Sequence, residues 1–222
     1  MKICVVTPYF QTPLDWIIQA HESVKAQSIP AWHVLVCDGS EPARIPSFRG
    51  THVLLGRNYR DYGNTPRLIG CYNAVTQGAD AIAFLDADNW YQPDHLEVLW
   101  DYAVANSLDA CSSARSLNRL DGSFLAKCPV VNGRTHIDTS CLLVMKPAFP
   151  HMIAWILATQ DVAAVMDQEV WKHMVKMGAR LGFVDRPSVC YRTRHASHYR
   201  LAGMPPPLDA IDRRDPHGER YQ

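Results

Sequence analysis

No stretch of this sequence stays apolar for the roughly 18 residues that a membrane-spanning helix needs. Nor does its start show a charged n-region followed by a short apolar core. The chain therefore reads as a cytoplasmic protein with no transmembrane segment. Net charge is missing as well: 22 lysines and arginines balance 22 aspartates and glutamates. Without a basic field the surface offers no steering toward nucleic acid, so any anion site is local. Paired-cysteine spacing is the third absence. The seven cysteines, at 4, 37, 71, 111, 128, 141 and 190, are odd in number, include no C-x-x-C pair, and several lie inside apolar runs. That pattern yields neither a zinc site nor a disulfide framework, and it fits buried free thiols.

What is present is enough apolar residue, 47% of 222, to give one domain a sizeable core. Lys2 to Thr7, Trp32 to Cys37, Thr51 to Leu55 and Ala81 to Leu85 are short apolar runs, the mark of strands covered on both faces. Helices fall between them. Thr12-Pro13 reads as a cap followed by proline at the first helical position, with Leu14, Ile17, Ile18, His21 and Val24 on one face. Thr65-Pro66 repeats that start for a helix ending at Gly78, and Pro93 opens a third helix through Ala103. Alternation of this kind predicts an α/β fold with a mostly parallel central sheet.

Beyond Asn106 the rhythm changes. Ala110 to Leu117, Ser123 to Ala126 and Thr139 to Met145 read as strands, His151 to Thr159 and Asp167 to Met177 as helical, then Leu181 to Val184 and Ser188 to Tyr191 as short strands. The expected layout is one domain over residues 1–203, with a nucleotide-binding half at 1–106 and a mixed-strand half at 107–203. Residues 204–222, with their Pro-Pro-Pro run and charged end, read as a poorly packed tail.

Ligands of an open parallel sheet bind outside the carboxyl ends of its strands. Here those ends carry Thr7-Pro8-Tyr9, Asp38-Gly39-Ser40, Arg57-Asn58-Tyr59 and Asp86-Ala87-Asp88. Asp86 and Asp88 leave their strand on the same side, because side chains alternate, and together can face one cation. Tyr9 is placed to stack on a base, and Asp38 to accept hydrogen bonds from a base or ribose. Each piece also has a plainer reading: Asp38-Gly39-Ser40 is turn composition, and Arg67 could be a surface charge.

In combination, Val5-Val6-Thr7-Pro8, Val34 to Ser40, Gly63 to Gly70 with Asn73-Ala74, and Ala83 to Asp88 followed by Pro93 and Leu96 resemble the family 2 glycosyltransferases of the GT-A fold. The resemblance is close over residues 1–100 and loose over 101–200. It implies a sugar-nucleotide donor, with Thr7, Pro8 and Tyr9 lining the nucleobase site and Asp38 and Gly39 beside the base. Arg67 would then lie near the diphosphate, Asp86 and Ala87 by the ribose, and Asp88 on Mn²⁺ or Mg²⁺. UDP is the family-weighted donor, and nothing in the residues excludes GDP or dTDP. The acceptor, whether a glycan, a lipid-linked sugar or a small molecule, is not written in the sequence.

Direct displacement at an anomeric carbon, with inversion, needs a base for the incoming hydroxyl. Met166-Asp167-Gln168-Glu169-Val170-Trp171 is similar to the acidic motif that starts a helix in such enzymes, with Met166 where a Glu is usual. Asp167 is the expected base, with Glu169 as the substitute. In the run 191–200 family members often carry Tyr-Arg-x-His, but here Arg194 stands at the histidine position. In family members that histidine or its neighbours complete the metal shell or touch the diphosphate; here His195, His198 or neither is a ligand. Two rivals remain: a nucleotidyltransferase, which would need a glycine-rich basic loop absent after the first strand, and a non-catalytic nucleotide-sugar or glycan-binding module.

Overall fold

The computed structural model describes residues 1–134, 136–157 and 160–212. The first half alternates as its apolar periodicity requires: β1 (Ile3–Tyr9), α1 (Leu14–Lys25), β2 (Ala31–Cys37), β3 (Gly50–Leu54), α2 (Asn64–Thr76), β4 (Ala81–Phe84), β5 (Trp90–Tyr91) and α3 (His95–Ala105). There follow β6 (Ala110–Asn118), β7 (Phe124–Lys127), a 3-10 turn at Thr139–Cys141, β8 (Leu142–Met145) and 3-10 segments at Lys146–Ile156 and Gln160–Val165. α4 (Met166–Lys176), β9 (Leu181–Arg192) and α5 (Ala196–Leu201) complete the order.

Among the described residues the strands form one sheet in the order β3-β2-β1-β4-β8-β6-β9-β5, with β7 paired to β6. β3, β2, β1 and β4 run parallel, and β8 then runs antiparallel to both β4 and β6. The expected α/β fold with a parallel first half and a mixed second half is the one observed. Strand alternation divides the core between the two faces. Cys4, Val6, Ile82 and Phe84 pack with α2, α4 and Trp155 on one side. Ile3, Val5, Ala83 and Leu85 pack with α1 and α3 on the other. α2 lies so close to β1 that a Cβ on Gly70 would meet Val6 Cγ1 at 2.3 Å.

Several local expectations shift. Pro13 is itself the cap of α1, its carbonyl accepting from Trp16 N at 3.1 Å, so the helix starts one residue later than a Thr12 cap implies. α2 starts earlier, after Gly63 in a left-handed conformation (φ 81), and Asp61 Oδ2 accepts from Thr65 N at 2.8 Å. The two short strands expected at 181–191 are one strand, β9. Its register against β6 slips around Ser113–Arg115, where Pro187 sits opposite Ala114 and removes a ladder donor. The helical reading of His151 to Thr159 is met by a 3-10 segment as far as Ile156, while Ala158 and Thr159 lie outside the described residues.

The chain after residue 203 turns back on the body. Ile211 pairs with His195, its amide donating to Arg194 O at 2.8 Å and its carbonyl accepting from Ala196 N at 2.9 Å. Arg200 then holds Asp212 through two contacts of 3.0 and 2.7 Å. Residues 213–222, the rest of the expected tail, lie outside the described set. All seven cysteines are free and buried. Among the described residues no helix is long and apolar enough to cross a membrane.

Candidate active site

The carboxyl ends of β1, β2 and β4 open into a cleft of ≈ 1030 Å³, which the 138–141 turn, the 160–165 segment and the start of α4 close from the other side. Pro8, Tyr9, Asp38, Arg67, Asp86, Ala87, Asp88, Asp167 and His195 all line it. Nine of the thirteen residues nominated from the sequence are thus brought together by strand ends and helix starts that are far apart in the chain.

Tyr9 forms wall rather than a mobile stacking platform. Its ring packs with Ile17, Leu35 and Cys37, and its hydroxyl accepts from Ala43 N at 2.8 Å and meets His52 Nε2 at 2.7 Å. Asp38 is 4% exposed, and its Oδ1 accepts from Tyr59 N at 3.1 Å. Burial pushes the Asp38 carboxyl above its ordinary value, against the Tyr59 amide. Gly39 stays outside the cleft lining and makes this contact sterically possible. At φ 74 its Cα lies so close to the 57–58 backbone that a Cβ would meet Arg57 C at 2.2 Å.

Asp86 is answered by Arg67, whose Nη2 lies 2.5 Å from Oδ1. Arg67 Nη1 also donates to Tyr62 O at 2.8 Å, and its guanidinium carbon stands 5.2 Å from the Trp155 ring centre. Trp155 itself is core, at 1% exposure. Asp88 has no such ion-pair partner among the described residues. Burial, then the neighbouring Asp86, push its carboxyl up to about 7.

Asp167 sits across the cleft at the first turn of α4. Its Oδ1 accepts from Gln168 N at 2.8 Å, and its Oδ2 from Thr139 N at 3.1 Å. Burial and then the charge of Asp138 push its carboxyl up to about 7, a value suited to a general base near neutral pH. Glu169 points elsewhere: it pairs with Lys172 at 2.7 Å and does not line the cleft.

Thr7 and His198 are not brought into the cleft lining either. Thr7 follows Ile3 and Val5 to the α1 face, where its hydroxyl meets His33 Nε2 at 2.9 Å, and His33 Nδ1 meets His21 Nδ1 at 2.9 Å. His198 Nδ1 meets Thr193 Oγ1 at 2.7 Å, and burial holds its imidazole down to about 3. His195, by contrast, does border the cleft.

The 138–140 turn is the part that sequence reasoning missed. Asp138 is buried against Arg115 and accepts from Ser140 N at 3.0 Å, and Ser140 Oγ accepts from Asp86 N and Asn89 Nδ2, each at 3.1 Å. The turn therefore braces the Asp86–Asn89 loop. Its signal is Asp-Thr-Ser, a side-chain cap signature inside what otherwise reads as a strand.

Residues 4–127 match the family model described as Glycosyl transferase family 2. The chain belongs to glycosyl transferase family 2. A curated relative, the succinoglycan biosynthesis protein ExoW of Rhizobium meliloti (strain 1021), is 32% identical over 102 residues, 43% of this chain. The aligned part is 32% of that relative's length. Among solved structures, S. aureus TarS 1-349 in complex with UDP superposes with a TM-score of 0.65 at 13% identity, over 91% of this chain and 63% of that one. TarS 1-349 in complex with UDP-GlcNAc gives 0.64 at 13% identity, over 90% and 61%. At that identity the likeness shows a shared glycosyltransferase fold.

Among the described residues no three His, Cys, Asp or Glu side chains cluster as a metal cage. A divalent-ion site does not need one: Mg²⁺ and similar ions take one or two carboxylates and complete their shell with water and substrate phosphate. Asp88, with its poorly compensated charge, and the adjacent Asp86 fit that role.

Proposed function

We propose that this chain moves one sugar from a nucleotide-sugar donor, most simply a UDP-sugar, to an acceptor hydroxyl with inversion at the anomeric carbon. The observation that carries the reading is that Asp38, the Asp86–Asp88 pair and Asp167, from three separate segments, line one cleft. Pro8, Tyr9 and Asp38 bound the base and ribose end. The TarS complexes with UDP and UDP-GlcNAc support the donor class.

In the reaction the acceptor oxygen forms a bond to the anomeric carbon as the bond from that carbon to the diphosphate oxygen breaks. The breaking bond's electron pair leaves with the nucleoside diphosphate, and the acceptor proton passes to a carboxylate oxygen of Asp167. Asp88, with Asp86, would hold Mn²⁺ or Mg²⁺, which supplies charge stabilisation to the departing diphosphate. Arg67 fixes Asp86, and the amides of Thr139 and Gln168 fix Asp167.

The test pairs two variants. Asp167→Asn abolishes transfer while UDP affinity in the presence of Mn²⁺ stays within about twofold of wild type, since an amide keeps the shape but cannot take the proton. Asp88→Asn removes the dependence of UDP binding on Mn²⁺. Transfer at wild-type rate by Asp167→Asn eliminates the assignment of the base. Metal-linked UDP binding with no turnover by the wild-type chain, over a panel of donors, points instead to a binding module.

A further inference from the structure

Arg115 and Asp138 are buried charges to which the proposed reaction gives no part. Arg115 stands in β6, 4% exposed, and its Nη1 meets Asp138 Oδ2. Its guanidinium carbon lies 3.9 Å from the ring centre of Tyr191 in β9, and its Nε donates to Cys128 Sγ at 3.5 Å. The register of β6 against β9 slips on both sides of Ala114, just before this residue, and irregularities of that kind re-aim side chains beside a site. A guanidinium held this deep depends on its partner.

Asp138 caps the Thr139–Cys141 turn, its Oδ1 accepting from Ser140 N at 3.0 Å. From that turn two contacts lead to different walls of the cleft. Thr139 donates its amide to Asp167 Oδ2 at 3.1 Å, while Ser140 Oγ accepts from Asp86 N and Asn89 Nδ2, each at 3.1 Å. One short turn thus joins the wall that carries Asp167 to the loop that carries Asp86 and Asp88. Both oxygens of Asp138 are already bonded to protein, so it acts through the turn and through its charge rather than on substrate.

We propose that Asp138, held by Arg115, is a positioning residue that fixes Asp167 and the 86–89 loop relative to each other and places a negative charge beside Asp167, a role that rests on the reading of Asp167 as the base. Direct displacement needs the incoming and departing oxygens in line across the anomeric carbon, and a small misplacement of either is costly in rate. The charged groups that act on Asp167 are Asp138 from the turn, Arg67 from α2 and Asp86 from the end of β4. Only Arg67 favours its ionised form. Asp138, as the larger of the two like charges, helps to keep Asp167 ready to take a proton near neutral pH, and Arg115 offsets the burial that opposes the ionisation of Asp138.

Carboxyl ¹³C shifts of the metal-free protein, followed against pH and assigned with Asp167→Asn, read Asp167 directly. The wild-type midpoint is expected at about 7. Asp138→Asn keeps an oxygen for Ser140 N, because asparagine caps as well as aspartate, but removes the charge, and should move that midpoint about one unit lower. The Arg115→Met, Asp138→Asn double variant strands no charge, so it folds even where the single variant does not, and should show the same shift. Asp138→Ala also loses the cap, and amide hydrogen exchange at Thr139 and Asp86 should speed up together by about tenfold. An unmoved midpoint in the variants without the charge, or faster exchange at one amide alone, overturns the role of Asp138 while leaving Asp167 as the base. A wild-type Asp167 that titrates at the ordinary carboxylate value of about 4 overturns both.

Discussion

Arg67 and Asp86 meet at 2.5 Å at the edge of the cleft, one from α2 and the other from the end of β4. The pair ties a helix to the strand end that carries both acidic residues, and it leaves Asp88 as the carboxylate without a fixed counter-charge. Removing one partner strands the other. Arg67→Met is expected to lower the unfolding free energy by about 2–3 kcal/mol, at the low end for a broken buried pair because Asp86 keeps partial solvent access. A double-mutant cycle with Asp86→Asn, read by urea unfolding, should give a coupling above about 1 kcal/mol. Strict additivity would show that the two side chains do not stabilise each other.

Ser140 gives a second expectation. Its hydroxyl serves two donors of the Asp86–Asn89 loop, so Ser140→Ala leaves Asp86 N and Asn89 Nδ2 without that acceptor. A cost of about 1–2 kcal/mol in stability follows, with lower transfer because the acidic loop loosens. Retention of both stability and rate would mean that the loop holds itself.

Acidity gives the third. Asp167 accepts a proton only when ionised, and its carboxyl is pushed up to about 7, so kcat should fall tenfold per unit as pH drops below 7. Stability has its own profile. His33, His95 and His198 are each held down to about 3, so the unfolded chain gains their protons first and their contribution is lost as pH falls through 6.5. Asp88 and Asp167, pushed up to about 7, act the other way, because the folded chain keeps protons that the unfolded one releases above about pH 4. Burial also lowers His21, His52 and His136 and raises Asp38 and Asp138, so six imidazoles stand against four carboxylates and the unfolded state binds more protons. Without metal, stability should therefore fall as pH drops from 6 to 4.5, and more steeply in the Asp88→Asn, Asp167→Asn double variant. Urea midpoints across that window decide it, and a flat profile would refute the balance.

The parallel half of the sheet was readable because β1, β2 and β4 are mostly apolar runs that stop at polar residues. Asp38, Asp86 and Asp88 are those stopping points, which is why the cleft could be located from the sequence. Thr7 misled because only strand parity, fixed by packing against α1, decides which face it joins. Ser140 and Asp138 were hidden for another reason: their partners lie 54 residues away at Asp86 and 23 away at Arg115, and no local pattern reports such contacts. β5 spans two residues, too few for any periodicity.

The order of the sheet has a practical outcome. β8, β6 and β9 are bracketed by β4 on one side and β5 on the other, and both flanking strands precede residue 106 in the chain. Separating the polypeptide there would expose the β4 edge and leave β5 without β9. Exchanging the C-terminal portion with that of a homologue is therefore better done by replacing surface connections than by a crossover at that midpoint.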